Sequence, residues 1–124
     1  MKHKLYLNYF SNIGHSVGLK VSIARKTTRE QDSQVDFIKR NLAPKDSDRI
    51  DYQSGLIDWE EFTKRYLDKL NKKAGIDALV WLDNLLNESD VTILCHCKPG
   101  KDCHRNILGA IYKIKGYEVF SIEY

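Results

Sequence analysis

The last third of the chain constrains the fold most, because an apolar strand, a polar loop, an amphipathic helix and a second strand follow one another there. Val91–Cys95 is a β-branched, apolar run, typical of a strand that is covered on both faces of a parallel sheet. Apolar residues at helical spacing follow at 107–114, and Gly116, after two lysines, is the expected helix end. Residues 117–124 complete a βαβ unit, whose crossover is expected to be right-handed.

The first part of the chain adds two strands. Residues 5–10 are short, apolar and aromatic, and they end in a polar loop that holds His15 and Ser16. Residues 19–24 have the alternation of a half-buried strand, and Arg25 follows directly after them.

Two helices are predicted in the middle of the chain. Asp58, with a glutamate three residues later, begins the first as in a capping box, and aromatic side chains at helical spacing extend it to about residue 73. Gly75 separates it from a second helix at 76–86, which is apolar on more than one face and therefore largely buried. The apolar residues at 35–38 favour one face of a short helix that ends before Pro44.

Length and composition favour one domain. The 124 residues, 42% of them apolar, suffice for one buried core and are too few for two ordinary domains. We therefore predict an α/β fold: a single compact domain over residues 1–124, with a mostly parallel sheet and the C-terminal βαβ unit. The net charge of +3 is milder than the footprint of a dedicated nucleic acid binder, although nucleic acid stays open as a partner.

The sequence also bears on location. It has no apolar run long enough to span a membrane, and its first residues lack the apolar region and cleavage site of a signal peptide. We expect a cytoplasmic protein without a membrane partner. Its three cysteines lie within nine residues, which is not how a disulfide framework covers a secreted fold, so the cluster indicates metal binding or thiol chemistry.

The chemical candidates surround the loop after the apolar strand. Cys95 ends that strand, and ligands of parallel sheets bind at the carboxyl ends of strands. Asp102 is the predicted N-cap of the next helix, which would place Cys103, His104 and Arg105 in its first turn. Unpaired N–H groups and the helix dipole favour anions there and should lower the pKa of the Cys103 thiol. Cys103 is therefore the predicted nucleophile, with His104 and Cys95 as further catalytic candidates.

A second group of candidates concerns ligand binding. Arg105 stands at the positive end of a helix, where a cation needs an anionic partner, so we expect it to hold a phosphate. Arg25 would assist from the neighbouring strand end, and His15 and Ser16 would contribute from the first loop. The expected ligand is small and anionic or nucleotide-like. The oligomeric state is left open.

Zinc is the competing interpretation. Cys95, Cys97, Cys103 and His104 would supply a complete S₃N ligand set, but their spacings are tighter than those of usual zinc knuckles. We therefore predict no cofactor and keep zinc as the alternative. The cradle of cysteine phosphatases, a cysteine followed by five residues and then an arginine, is not met, because after Cys97 and five further residues comes Cys103 instead of an arginine.

Three motifs near the cysteines are distinctive: Thr92-Ile93-Leu94-Cys95, Lys98-Pro99-Gly100 and Cys103-His104-Arg105. They resemble the signature of the bacterial, archaeal and phage family named domain of unknown function 488. Further similar blocks extend the resemblance over most of the chain: Val21-Ser22-Ile23-Ala24-Arg25, Leu42-Ala43-Pro44, Glu60-Glu61-Phe62-Thr63 and Tyr66-Leu67. In many members of the family that this chain resembles, the position that corresponds to Cys97 looks like a glutamate. The resemblance thus carries over Cys95, Cys103, His104 and Arg105, and it implies a compact α/β domain with a polar site but no particular activity.

Two functional hypotheses follow. The leading one is a small cytosolic enzyme, or an enzyme-derived domain, that acts on a phosphate-bearing ligand such as a nucleotide or nucleic acid. The alternative is a non-enzymatic interaction or regulatory module, of a phage- or host-directed kind, whose cysteine and histidine cluster is structural or binds zinc.

Overall fold

Five parallel strands form the centre of the protein. The structure is a computed structural model that describes residues 2–97 and 101–122. Within that part of the chain the strands pair in the order β3-β2-β4-β1-β5, and every pairing is parallel. Their bounds are β1 Leu5–Tyr9, β2 Leu19–Ser22, β3 Phe37–Ile38, β4 Val91–Cys95 and β5 Val119–Ser121. The predicted α/β class with a parallel sheet is confirmed.

Helices connect the strands, and the described residues form a single compact α/β domain. Two 3₁₀ segments, Phe10–His15 and Arg40–Leu42, lie in the connections after β1 and β3. The α-helices are α1 Arg29–Ser33, α2 Asp46–Gln53, α3 Trp59–Leu70, α4 Lys73–Leu86 and α5 His104–Ile114. None of the helices in residues 2–97 and 101–122 has both the length and the apolar character that crossing a membrane requires.

The central strand β4 explains why the predicted apolar run is uniformly apolar. It lies between β1 and β2, and all five of its residues are buried. Ile93 and Cys95 belong to the main core with α3, α4 and α5, whereas Leu94 packs with Phe10 in a second, smaller core. Because side chains alternate along a strand, the two cores lie on opposite faces of the sheet.

The predicted βαβ unit is present, with one addition. β4 and β5 are parallel and α5 connects them, but β1 lies between the two strands in the sheet. α5 ends as predicted, with Lys115 as C-cap and Gly116 at a φ of 95°, a left-handed conformation that glycine adopts without strain.

The segment before α2 differs from the sequence prediction. Residues 35–38 do not form a helix face: Phe37–Ile38 is the edge strand β3, paired with β2. The helix of this region lies earlier, at Arg29–Ser33, where Thr28 and Gln31 form a capping box. α2 was not predicted at all, because its sequence is too polar to show apolar periodicity.

The junction of α3 and α4 is tighter than predicted. Asp58 caps α3 as expected, since its carboxylate accepts a hydrogen bond from the Glu61 backbone N–H at 2.8 Å. α3 ends at Leu70, however, and Gly75 lies inside α4 rather than between the helices. A Cβ added at Gly75 would lie 2.5 Å from the carbonyl oxygen of Leu70. The glycine is needed because the two helix backbones approach closely.

We expect Gly75→Ala to lower the free energy of unfolding by about 1–3 kcal/mol, because the new methyl group meets backbone that cannot rotate away. Gly14→Ala is the matched control, since a Cβ at that position meets nothing within 4 Å. Its effect should stay within about 0.5 kcal/mol. Urea denaturation of both variants measures the difference, and equal stabilities would contradict the close approach.

Candidate functional site

The three cysteines meet at the carboxyl end of the central strand. Cys95 is the last residue of β4, Cys97 lies in the following loop, and Cys103 is the residue directly before α5. All three are free thiols whose sulfurs lie within 4.8 Å of one another. The Sγ atoms of Cys95 and Cys103 are 2.8 Å apart.

α5 begins one residue later than predicted. Its N-cap is Cys103, in an extended conformation, and no side chain caps the helix. Asp102, the predicted cap, instead accepts a hydrogen bond from the Tyr52 hydroxyl at 3.1 Å, which directs its carboxylate towards α2. The first turn therefore contains His104 and Arg105, while Cys103 lies just outside it.

Arg105 points into the sulfur cluster. Arg105 is only 4% exposed. Its Nη1 donates hydrogen bonds to the Cys95 sulfur at 2.8 Å and to the Cys97 carbonyl oxygen. The same nitrogen lies 3.8 Å from the Cys103 sulfur. A buried guanidinium in this position favours a thiolate among the three sulfurs. Its contact with a ligand phosphate stays a prediction.

The negative charge belongs on Cys97. Hydrogen bonds from Cys103 and Cys95, assisted by the Arg105 charge, lower the pKa of Cys97 to about 2. Burial raises the pKa of Cys95 to about 11. Hydrogen bonds with the two other cysteines, followed by burial, raise the pKa of Cys103 far above its ordinary value. The expectation that the helix start lowers the pKa of Cys103 is wrong, because the neighbouring Cys97 thiolate and burial disfavour a second charge more strongly than a helix end favours it.

His104 is held in one orientation. Its Nε2 donates a hydrogen bond to the Ile23 carbonyl oxygen at 2.8 Å, so its Nδ1, 3.8 Å from the Cys103 sulfur, carries the lone pair. Burial lowers the pKa of His104 to about 4, which keeps the ring neutral near pH 7. The Nδ1 lone pair therefore faces the Cys103 thiol and can accept a hydrogen bond from it.

The sulfur cluster borders a cavity of about 360 Å³. Its lining combines the sulfurs with cations and aromatic rings that come from the ends of β2, from α2 and from α3. The lining residues are Ala24, Arg25, Lys26, Pro44, Asp46, Arg49, Tyr52, Gln53, Trp59, Phe62, Cys95, His96, Cys97, Asp102, Cys103 and His104.

The predicted binding residues divide into two groups. Arg25 lines the cavity, where its Nε lies 3.5 Å from the Asp46 carboxylate. His15 and Ser16 lie where the 3₁₀ segment after β1 ends, and among the described residues they are not part of the cavity lining. The Ser16 hydroxyl accepts a hydrogen bond from Asn8 at 3.1 Å instead.

Several lining residues were missed in the sequence. Arg49 and Asp46 form an ion pair at 2.8 Å on α2, and the rings of Tyr52, Trp59 and Phe62 contact one another. The spacing of Trp59 and Phe62 in the sequence indicates only that this helix face packs in the core, and both side chains do pack there. Nothing in the sequence shows that this face continues into a cavity beside cysteines that are more than 30 residues away.

The three sulfurs lie close enough together to hold a metal ion. The predicted four-ligand zinc site fits less well. His104 is not part of the close group, and Zn–S bonds of about 2.3 Å would place tetrahedral sulfurs about 3.8 Å apart, farther than the 2.8 Å between Cys95 and Cys103. The Arg105 guanidinium also donates a hydrogen bond to the Cys95 sulfur, so it competes with a metal ion for the lone pairs of that sulfur, and its positive charge would repel a cation. The residues present favour free thiols.

The family model DUF488-N3a, described as the active DUF488-N3 subclade, matches residues 9–116. The chain belongs to the DUF488 family. This match spans the sulfur cluster and the cavity lining, and it confirms the resemblance that the sequence motifs indicate. The Lys98-Pro99-Gly100 motif of DUF488 falls outside the described residues. No curated protein and no solved structure matches the chain.

We expect iodoacetamide to modify Cys97 at least about tenfold faster than Cys103, with little loss of rate down to about pH 5. The thiolate is the reacting species, and a lowered pKa keeps Cys97 ionised as the pH falls. Peptide mass spectrometry over a time course and a pH series measures each cysteine separately. A faster Cys103, with a midpoint near pH 8.5, would contradict this assignment.

Proposed function

We propose that this DUF488 protein is a small cytosolic enzyme that acts on a phosphate-bearing, nucleotide-like ligand, with the Cys97 thiolate as its nucleophile. The observation that carries the proposal is a half-buried thiol beside a buried guanidinium, at the edge of a cavity that offers both cations and aromatic rings. The description of the matching subclade as active agrees with it.

The anionic part of the ligand would bind to the cations of the cavity. Arg25 and Lys26 follow β2, and Arg49 projects from α2. Both arginines contact the same carboxylate, Asp46, at 3.5 and 2.8 Å. Two arginines therefore share the Asp46 carboxylate and Lys26 adds a third cation to the lining, which leaves positive charge on this side of the cavity for a phosphate, whose oxygens match the arginine fork.

An aromatic wall would hold a planar ring. Trp59 and Phe62 stack with their ring centres 5.2 Å apart and an angle of 17°, and Tyr52 contacts both rings at 5.3 Å. Stacking of a base on such side chains stabilises binding by about 1–3 kcal/mol per base and tolerates different bases. A phosphate together with a planar ring describes a nucleotide better than a simple phosphate ester.

The chemistry proposed is nucleophilic catalysis. Cys97 would attack an electrophilic atom of the ligand and displace the leaving group bound to that atom, since the thiolate charge is held in place before the ligand arrives. Cys103 and Cys95 stabilise that charge through hydrogen bonds, and Arg105 stabilises it electrostatically. His104 completes the arrangement by packing against Cys103, with its Nδ1 3.8 Å from the Cys103 sulfur. In this proposal the predicted catalytic residues Cys95, Cys103 and His104 support Cys97 rather than react themselves.

Arg25→Ala should weaken the binding of a nucleoside monophosphate about tenfold or more, because it removes a charge-assisted contact of about 1.5–3 kcal/mol. Arg29→Ala is the matched control: it removes the same charge from an exposed residue of α1 that is not among the cavity lining described above. Titrations followed by tryptophan fluorescence measure both affinities, with inorganic phosphate as the comparison ligand. Equal losses in the two variants would mean that only overall charge matters and would sink the assigned site.

The alternative function, an interaction module with a zinc-bound cluster, is favoured by one observation, the mutual approach of three sulfurs within 4.8 Å. Elemental analysis separates the two. We expect the purified protein to carry well below one equivalent of zinc and to keep its melting temperature in a chelator, because a structural zinc site contributes to folding outright. Stoichiometric zinc, with unfolding on its removal, would replace the enzyme proposal by the module.

A further inference from the structure

The arrangement of the three sulfurs has a property that nucleophilic attack on a phosphate-bearing ligand does not use. Cys95 and Cys103 are in sulfur contact at 2.8 Å, and both lie within 4.8 Å of Cys97. All three border the cavity, but Cys97 is half-buried, whereas Cys95 and Cys103 are buried at 1% and 3% exposure. The most exposed thiol, Cys97, thus lies next to a buried pair whose sulfurs are close enough to form a disulfide.

We propose that the cluster is a reversible redox site, in which a small hydroperoxide oxidises Cys97 and the oxidation ends as a disulfide between Cys95 and Cys103. Disulfides in reducing compartments are characteristically transient, serving catalysis or redox sensing. The proposal concerns a further activity of the cluster and does not depend on the phosphate-bearing ligand.

The first step takes place at Cys97. Its thiolate attacks one oxygen of the hydroperoxide, the O–O bond breaks, and the leaving alkoxide takes a proton from solvent. Cys97 becomes a sulfenic acid, and the hydroperoxide is reduced to an alcohol, or to water when the oxidant is hydrogen peroxide. Cys97 reacts with the hydroperoxide as a thiolate, because the thiolate is the nucleophilic species. The hydrogen bonds that stabilise its charge are present before the oxidant enters.

In the second step Cys103 resolves the sulfenic acid. Its sulfur bonds to the Cys97 sulfur, and hydroxide leaves as water with the Cys103 proton. Nδ1 of His104, 3.8 Å from the Cys103 sulfur, is placed to accept that proton and pass it on. Burial lowers the pKa of His104 to about 4, so the ring does not keep this proton but passes it to the departing hydroxide.

The third step moves the disulfide inwards. The Cys95 sulfur attacks Cys103, its proton goes to solvent, and Cys97 leaves as a thiolate. Two features favour this direction: the attacking sulfur already contacts Cys103, and the thiol with the lower pKa is the better leaving group. Arg105 Nη1, 2.8 Å from the Cys95 sulfur, stabilises that sulfur as it loses its proton. In sum, two thiols and one hydroperoxide give a disulfide, an alcohol and water.

The inner disulfide would change the thiolate that it leaves behind. Cys95 and Cys103 donate the hydrogen bonds that lower the pKa of Cys97, and neither has a proton to donate once they are joined. Oxidation would therefore weaken the nucleophile without blocking the cavity, and a dithiol reductant would restore it.

The wild-type protein decides the proposal in one experiment. It is treated with hydrogen peroxide in the absence of nucleotides, the remaining thiols are blocked with iodoacetamide, and the tryptic peptides are analysed by mass spectrometry. Cleavage after Lys101 separates Cys95 from Cys103, so their disulfide joins two peptides. We expect that cross-link together with alkylated Cys97, and its loss after dithiothreitol. A protein that ends with sulfinic acid at Cys97 and no cross-link would overturn the proposal.

Two serine variants, each lacking one sulfur, test the order of the steps. Cys97→Ser should form the inner disulfide at least about tenfold more slowly, because both remaining thiols have raised pKa values. Cys95→Ser should stop at a Cys97–Cys103 disulfide. Cross-linking at the wild-type rate in Cys97→Ser would overturn the relay. Circular dichroism checks that each variant is folded, and the wild-type cross-link stands as the deciding result if one is not.

Discussion

Burial of the Arg105 guanidinium is the interaction on which the site depends. Removing an unpaired cation from water costs several kcal/mol, and a protein offsets that cost only with negative charge and well-placed acceptors. Arg105 finds two acceptors, since its Nη1 donates to the Cys95 sulfur and to the Cys97 carbonyl oxygen, and it finds negative charge in the neighbouring Cys97 thiolate. The thiolate among the three cysteines is therefore part of what keeps this arginine in the core, and the arginine is part of what keeps the thiolate charged.

One charge shared by three sulfurs explains why the cysteines differ so much from one another. A second thiolate within 4.8 Å of the first would be repelled in a poorly solvated environment, so ionisation of one cysteine holds the others protonated. The charge settles on Cys97 because this residue is the least buried of the three and receives hydrogen bonds from the two others. The fold supplies the arrangement through the end of the central strand and the start of α5, which a single loop connects.

The regular parts of this fold are predictable from sequence because their apolar patterns are local. β4, α3 and α5 each bury a face that repeats at the strand or helix period, and Asp58 marks the start of α3 by its own hydrogen bond. β3 and α2 escape such reasoning, since a two-residue edge strand exists only through its pairing with β2 and a polar helix has no apolar period. The presence of the DUF488 motifs identifies the family, which local periodicity alone does not.

The site shows the same division. The cysteines lie close together because they are close in the sequence, so their proximity can be predicted. Which of the three is ionised cannot be predicted from their spacing. It depends on the burial of Cys103, on the direction of Arg105 and on the turn of Asp102 towards Tyr52, all of which are set by packing between distant segments. A helix start forms an anion site only where its backbone N–H groups and the side chains next to them are accessible to solvent or to a ligand.

The role of position 97 follows from this balance of charge. What Arg105 requires nearby is one negative charge, and a carboxylate would supply it as well as a thiolate. A carboxylate cannot form a disulfide, and it is a weaker nucleophile than sulfur. Cys97 thus satisfies the electrostatic demand of the fold and, in addition, gives this chain the capacity for thiol chemistry. The electrostatic role and the proposed chemical role are separable in principle, and in this DUF488 protein a single side chain would carry both.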